Sequence, residues 1–214
     1  MSTSSEKSSK GAPEGSQPPP PKGAGSGSPD VRNARKEKPG EPKKDEKGSS
    51  EGTGGRRVFK PKELKICWQE ENQFWSIPKE DGRPVELLEV CWLDVSGEMP
   101  VTKGKAYEVS FMLSMNTKDS FGWEVPVTVM ARIGKKGKYE RKEIDLSKLS
   151  EEVKEFPPDK CRIEFKSDEN TKNDEETLYF GLYEVWTNKW KGGLRIHGAI
   201  VQEIPAGIND PPPN

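Results

Sequence analysis

Beyond residue 57, apolar and polar positions alternate along most of the chain at the two-residue period of a strand with one buried face. Tyr107, Val109, Phe111, Leu113 and Met115 share one parity, with Glu108, Ser110 and Ser114 on the other. Val125, Val127, Val129, Ala131 and Ile133 repeat the pattern. Pro126 falls inside this second run and has no N–H for a ladder, so it predicts an edge position or a bulge. Gly134-Lys135-Lys136-Gly137-Lys138 predicts a turn, with Tyr139 to Leu146 running back as a hairpin. The longest apolar run, Glu86 to Met99, is apolar on both parities and predicts a central strand covered on both faces. Leu64 to Trp68, Cys161 to Lys166, Leu178 to Trp186 and Leu194 to Ile204 complete the strands. Ser147 to Phe156 predicts the one helix, with Leu149 and Val153 at i,i+4 and Pro157-Pro158 as its stop. About eight short strands separated by turn signals read as an all-β protein, an antiparallel β-sandwich of jelly-roll-like form.

Composition divides the chain. Residues 1–57 contain no aromatic residue, leucine or isoleucine and are rich in Ser, Gly, Pro and Lys. Such a segment buries too little apolar surface to offset its ordering entropy, so a disordered tail is expected there. A folded domain is expected over 58–205, and a short Pro-ending tail over 206–214. The tail carries twelve basic and eight acidic residues, net +4, and the remainder 23 and 28, net −5. A mildly acidic domain argues against general nucleic-acid binding, although the basic tail and the Lys135–Lys142 run favour an RNA partner weakly. Glycines at both ends of that run make a solvated hairpin tip the competing reading.

Cys67, Cys91 and Cys161 are odd in number and widely spaced, which argues against a disulfide framework. The N-terminus has no apolar signal core, no stretch approaches the length of a membrane span, and no Asn-x-Ser/Thr sequon occurs. Cytoplasm or nucleus is the expected location, without secretion or membrane insertion. Metal and triad chemistry are poorly served, because His197 is the only histidine and its spacing to the cysteines fits no common zinc site. No serine elbow is present. Asp and Glu are abundant, but nothing singles out a pair for glycoside hydrolysis. No cofactor is expected.

The remaining signal is aromatic. Trp68 and Trp75 stand on either side of the polar run Gln69-Glu70-Glu71-Asn72-Gln73. A second aromatic stretch, Leu182 to Gly198, holds Tyr183, Trp186 and Trp190. Flat rings beside carboxylates and amides suit a pyranose, whose C–H face stacks while its hydroxyls take the polar groups. The alternative is that both tryptophans of the first pair are core. On the sugar reading, Trp68 ends a strand and is embedded, whereas Trp75 is the more exposed ring. First and last strands of a sandwich often neighbour each other, which would bring the two stretches to one site.

The pieces Ile66-x-Trp68 with Trp75, Glu86-Leu87-Leu88-Glu89-Val90-Cys91-Trp92-Leu93-Asp94-Val95-Ser96-Gly97, Leu182-Tyr183-Glu184-Val185, and Trp190-Lys191-Gly192-Gly193-Leu194 occur in this order. They resemble the Nictaba-related phloem protein 2 lectins of plants, over roughly Phe59 to Ile204. The resemblance implies a cytosolic and nuclear lectin without catalysis or metal, binding N-acetylglucosamine oligomers, related N-glycan cores or glycoproteins bearing them. It implies that Trp68, Trp75 and Glu184 contact the sugar. The family's second glutamate falls at Thr177 here, beside Glu176. A shallow site of this kind gains from avidity, through a homodimer or a multivalent glycan. The family's phloem members also suggest a second role, as a protein- or RNA-binding component that keeps the fold without the sugar.

Overall fold

The computed structural model describes residues 55–166 and 174–205. The expected tail up to residue 54 and the stretch 206–214 lie outside the described residues, as does most of the polar segment after Lys166. The chain forms β1 (Arg56–Phe59), a 3-10 turn (Pro61–Glu63), β2 (Lys65–Ile66), β3 (Trp75–Ser76), β4 (Val85–Leu87), β5 (Leu93–Thr102) and β6 (Lys105–Met115). It continues with β7 (Val127–Ile133), β8 (Glu140–Ile144), β9 (Lys154–Phe165), β10 (Glu175–Glu184) and β11 (Leu194–Pro205). One sheet has the order β3-β4-β11-β6-β9, with β1 also paired along β11; the other has the order β2-β5-β10-β7-β8. Every pairing is antiparallel. The fold is therefore all-β, an antiparallel β-sandwich.

The alternation read from the sequence is what closes the two sheets on each other. Val109, Phe111 and Leu113 of β6 and Leu178, Phe180 and Leu182 of β10 are buried. The Phe180 ring meets Phe59 edge-on at 5.0 Å and Phe111 at 6.3 Å, joining the sheets at the core. Burying each such side chain stabilises the fold by about 1.5–3 kcal/mol relative to exposure.

Four local expectations are corrected. Glu86 to Met99 is not one strand, because β4 lies in one sheet and β5 in the other. Its double-parity pattern arises because Leu87, Val90, Leu93 and Val95 are all buried across the crossing, while Leu88 points out. No helix forms over 147–156: Leu149 is buried and Val153 exposed, so the i,i+4 pair does not share a face. That segment turns, and β9 begins at Lys154; Pro157 and Pro158 are tolerated there because β9 is a sheet edge. Pro126 precedes β7, which is interior between β10 and β8, so it marks neither an edge nor a bulge. The first strand shrinks to Lys65–Ile66, because Trp68 adopts φ 60°, outside the extended region.

The register gathers five connections at one end of the sandwich. Leu93 pairs with Glu184, Leu194 with Met115, Lys154 with Leu113, and Thr128 with Tyr183. The segments 67–74, 88–92, 116–126, 145–153 and 185–193 therefore lie together there.

Candidate functional site

The tightest construction at this end is the β10–β11 loop. Glu184 closes β10 and is fully buried. Its Oε1 accepts the backbone N–H groups of Trp186 at 3.3 Å and Thr187 at 3.1 Å. Its Oε2 lies 2.5 Å from the ammonium of Lys191, also fully buried. Lys191 donates in turn to the carbonyls of Lys189 at 2.7 Å and Cys91 at 3.2 Å. Two buried charges are costly unless paired and hydrogen-bonded, and here each also grips the loop backbone. The intervening Trp186 to Trp190 segment is held by both ends.

Glycines let neighbouring loops close on it. A Cβ on Gly192 would come 2.3 Å from the Leu88 carbonyl oxygen and 2.5 Å from the Phe121 ring. Gly192 and Phe121 form a β-bridge, as do Val90 and Lys191, and Trp123 Nε1 donates to the Gly192 carbonyl at 2.7 Å. This packing accounts for the glycine at 192. Gly192→Ala is expected to lower stability by roughly 1–3 kcal/mol, the cost of overpacking. Thermal melts with tryptophan fluorescence check this, and an unchanged melting temperature would show that the loops adjust freely.

The β2–β3 loop carries the first tryptophan pair. Trp68 is half-buried, its ring tilted against Phe74 with centroids 5.6 Å apart. Trp75 is only 1% exposed; it pairs with Leu87 in the sheet, and its Nε1 donates to the Cys67 carbonyl at 3.0 Å. The expected order is therefore reversed: the polar run does not carry Trp75 out to solvent, but turns it back as a core anchor. Glu184 likewise offers no surface to a ligand. Of the three residues expected to touch sugar, Trp68 alone retains exposed ring.

The polar run does meet a cavity. A cleft of about 330 Å³ opens beside this loop. Gln69, Glu70 and Asn72 line it from the loop, Glu80, Asp81 and Arg83 from the β3–β4 turn, and Ile66, Ile77 and Val85 supply apolar wall. The Lys62 ammonium bonded to Asp81 holds that carboxyl below its ordinary value, so it stays an ionised acceptor. Arg83 is paired with Glu80 at 2.8 Å.

Other expectations are separated by the fold. Glu176 and Thr177 stand near the opposite end of β10 from Glu184, so the two glutamate positions implied by the family do not converge. They border a groove of about 1150 Å³ shared with the Lys135-Lys136-Gly137-Lys138 turn, Arg162 and Lys166. β2, the first predicted strand, pairs with β5 rather than with β11; it is β1 that lies along the last strand. His197 Nε2 lies 2.8 Å from Ser114 Oγ, but Ser114 is 1% exposed and no substrate reaches its oxygen. Among the described residues no group of three or more His, Cys, Asp or Glu is placed to hold a metal ion. Burial pushes the Cys161 thiol up to about 11, which marks a packed side chain rather than a nucleophile.

The sandwich and its loop end define an all-β domain of two antiparallel sheets with aromatic side chains gathered on its connections. The family model of phloem protein 2 matches residues 56–203. Protein PHLOEM PROTEIN 2-LIKE A9 of Arabidopsis thaliana is 37% identical over 157 residues, covering 69% of this chain and 87% of that protein. Protein PHLOEM PROTEIN 2-LIKE A1 of the same plant is 27% identical over 157 residues, covering 66% of this chain and 58% of its own length. The chain belongs to the phloem protein 2 family. Among solved structures, the Podospora anserina GH26-CBM35 beta-(1,4)-mannanase aligns with a TM-score of 0.43 at 8% identity, over 74% of this chain and 29% of that one. TmCBM61 in complex with beta-1,4-galactotriose aligns with a TM-score of 0.30 at 13% identity, over 68% of this chain and 86% of that one.

Proposed function

We propose that the protein is a non-enzymatic lectin that binds N-acetylglucosamine oligomers or N-glycan cores at the β2–β3 loop. The observation that carries this is the cleft beside the β2–β3 loop, which Gln69, Glu70 and Asn72 line. Its amides, carboxylates and guanidinium match the donors and acceptors of sugar hydroxyls and an acetamido group. Its Ile66, Ile77 and Val85 wall suits the acetamido methyl. The exposed part of Trp68 is the stacking face. Trp75 and Glu184 support the reading differently from the family expectation: Trp75 anchors the Trp68 loop through its bond to the Cys67 carbonyl, and Glu184 holds the neighbouring loop. The expected setting is the cytoplasm or nucleus; no helix among the described residues is long and apolar enough to cross a membrane.

One shallow cleft supports dissociation constants of about micromolar to millimolar, so avidity from dimers or multivalent glycans is part of the proposal. A glycan array on the full chain, followed by calorimetric titration with chitotriose, tests it. Trp68→Ala is expected to weaken binding by about tenfold or more, equivalent to ~1.4 kcal/mol. Absence of binding to any glucosamine-containing or mannose-rich glycan at high protein density overturns the sugar reading.

A second reading is a component that binds RNA rather than sugar. It is favoured by one observation, the groove bearing Lys135, Lys136, Lys138, Arg162 and Lys166. Glu140, Glu164 and Glu176 share that groove and offset much of its charge. A salt-dependent mobility shift of mixed RNA, kept in Trp68→Ala, supports it; no shift at low salt removes it.

A further inference from the structure

We infer that Trp186 and Trp190, with Phe121 and Leu88, form a second contact strip for additional pyranose units of an uncharged glycan chain. The inference rests on the carbohydrate reading and extends it to residues outside the Trp68 loop and its cleft. Trp186 is 60% exposed, Phe121 43%, Leu88 39% and Trp190 37%, which is unusual for such large apolar side chains. They are not loose. The loop bearing both tryptophans is fixed from beneath by the Glu184–Lys191 pair and its bonds to Trp186, Thr187 and Lys189. A rigid aromatic loses little conformational entropy on binding, so a held and exposed indole is a prepared stacking surface.

The chemistry around the strip selects an uncharged, hydrogen-bonding ligand. Thr187 and Asn188 lie exposed between the two tryptophans and offer a hydroxyl and an amide. The exposed charges flanking the four apolar residues are Lys118 and Lys189 against Glu89, Asp119 and Glu124. That near balance attracts neither a phosphate backbone nor an anionic lipid surface, both of which need clustered cations. The strip is also joined to the Trp68 loop through ring and backbone contacts. Trp68 packs on Phe74, the Phe74 carbonyl accepts from Leu88 N–H at 2.9 Å, and the Leu88 carbonyl lies against Gly192 beside Phe121. A chain held at the Trp68 loop can therefore extend along Leu88 to Phe121 and Trp190.

The test is chain-length dependence. Chitobiose and chitohexaose are titrated into the full chain, and into Trp186→Ala, Trp190→Ala and the double variant, with a thermal melt of each. Wild type is expected to bind chitohexaose about tenfold or more tighter than chitobiose. The double variant should keep wild-type chitobiose affinity and melting temperature but lose most of that gain. Should the double variant melt early, Trp186→Ala alone, at the most exposed position, should still lose at least about threefold of the gain. Chitohexaose binding unchanged in all three variants overturns the strip and leaves the cleft reading intact. If wild type binds neither oligomer, the carbohydrate reading itself falls. Co-sedimentation with phosphatidylcholine vesicles that is lost in the double variant assigns the strip to a lipid surface, and overturns the inference.

Discussion

Trp75→Ala is expected to be among the most destabilising single substitutions in the domain, by roughly 3–5 kcal/mol, with the melting temperature lowered by about 10 °C or more. Trp75 is the largest fully buried side chain, so its removal leaves a cavity that two-residue β3 cannot collapse to fill. It also removes the donor to the Cys67 carbonyl, at the start of the loop that positions Trp68. Trp68→Ala should melt distinctly later, because that ring is only partly buried and stacks at the margin of the core against Phe74. Both variants should lose sugar affinity, for different reasons. Trp68→Ala removes a contact, and Trp75→Ala releases the loop that holds it. Thermal melts and chitotriose titrations on the two proteins separate these effects. If Trp75→Ala melts no earlier than Trp68→Ala, the assignment of Trp75 to the core is wrong.

Breaking the Glu184–Lys191 pair should have an effect of similar size. Lys191→Met leaves a fully buried carboxylate with two backbone N–H donors and no countercharge. The expected loss is about 3–5 kcal/mol, the usual result of stranding one partner of a buried pair. Glu184→Leu strands the ammonium with two carbonyls and frees the Trp186 and Thr187 N–H groups. The double variant should lose less than the sum of the singles, since no charge is left unpaired. It should not return to wild-type stability, because the bonds to the Trp186, Thr187, Lys189 and Cys91 backbone are gone as well. Denaturant melts of the three variants measure this. Strict additivity would show that the two groups act independently. Sugar affinity should fall together with stability in each variant, whereas a direct ligand contact at Glu184 would cost affinity without stability.

The alternation in β6 and β7 made the sandwich legible, because a strand with one face buried must repeat every second residue. Where a segment crosses between sheets, that rule fails. Leu87, Val90, Leu93 and Val95 all reach the core along the 85–95 stretch, and in sequence this looks like a single strand buried on both faces. The segment before β9 failed for a related reason: Leu146 and Leu149 are buried by the turn itself, not by a helical face.

The all-β class, the β7–β8 hairpin, the family and the two aromatic stretches in which chemistry was to be sought were all legible in residue order. Those depend on periodicity, turn chemistry and residue order, which are local properties. The roles inside each stretch were decided only by tertiary structure. Trp75 and Trp186 each stand beside a polar run of similar appearance, yet one is 1% and the other 60% exposed. The difference comes from pairing across the chain: β3 lays Trp75 against Leu87, whereas Trp186 follows a strand end tied down by Glu184 and Lys191. A buried ion pair between residues seven positions apart has no periodic signature. Its two charges read in sequence as solvated or ligand-binding groups, and only the loops that close over them exclude water and make them structural.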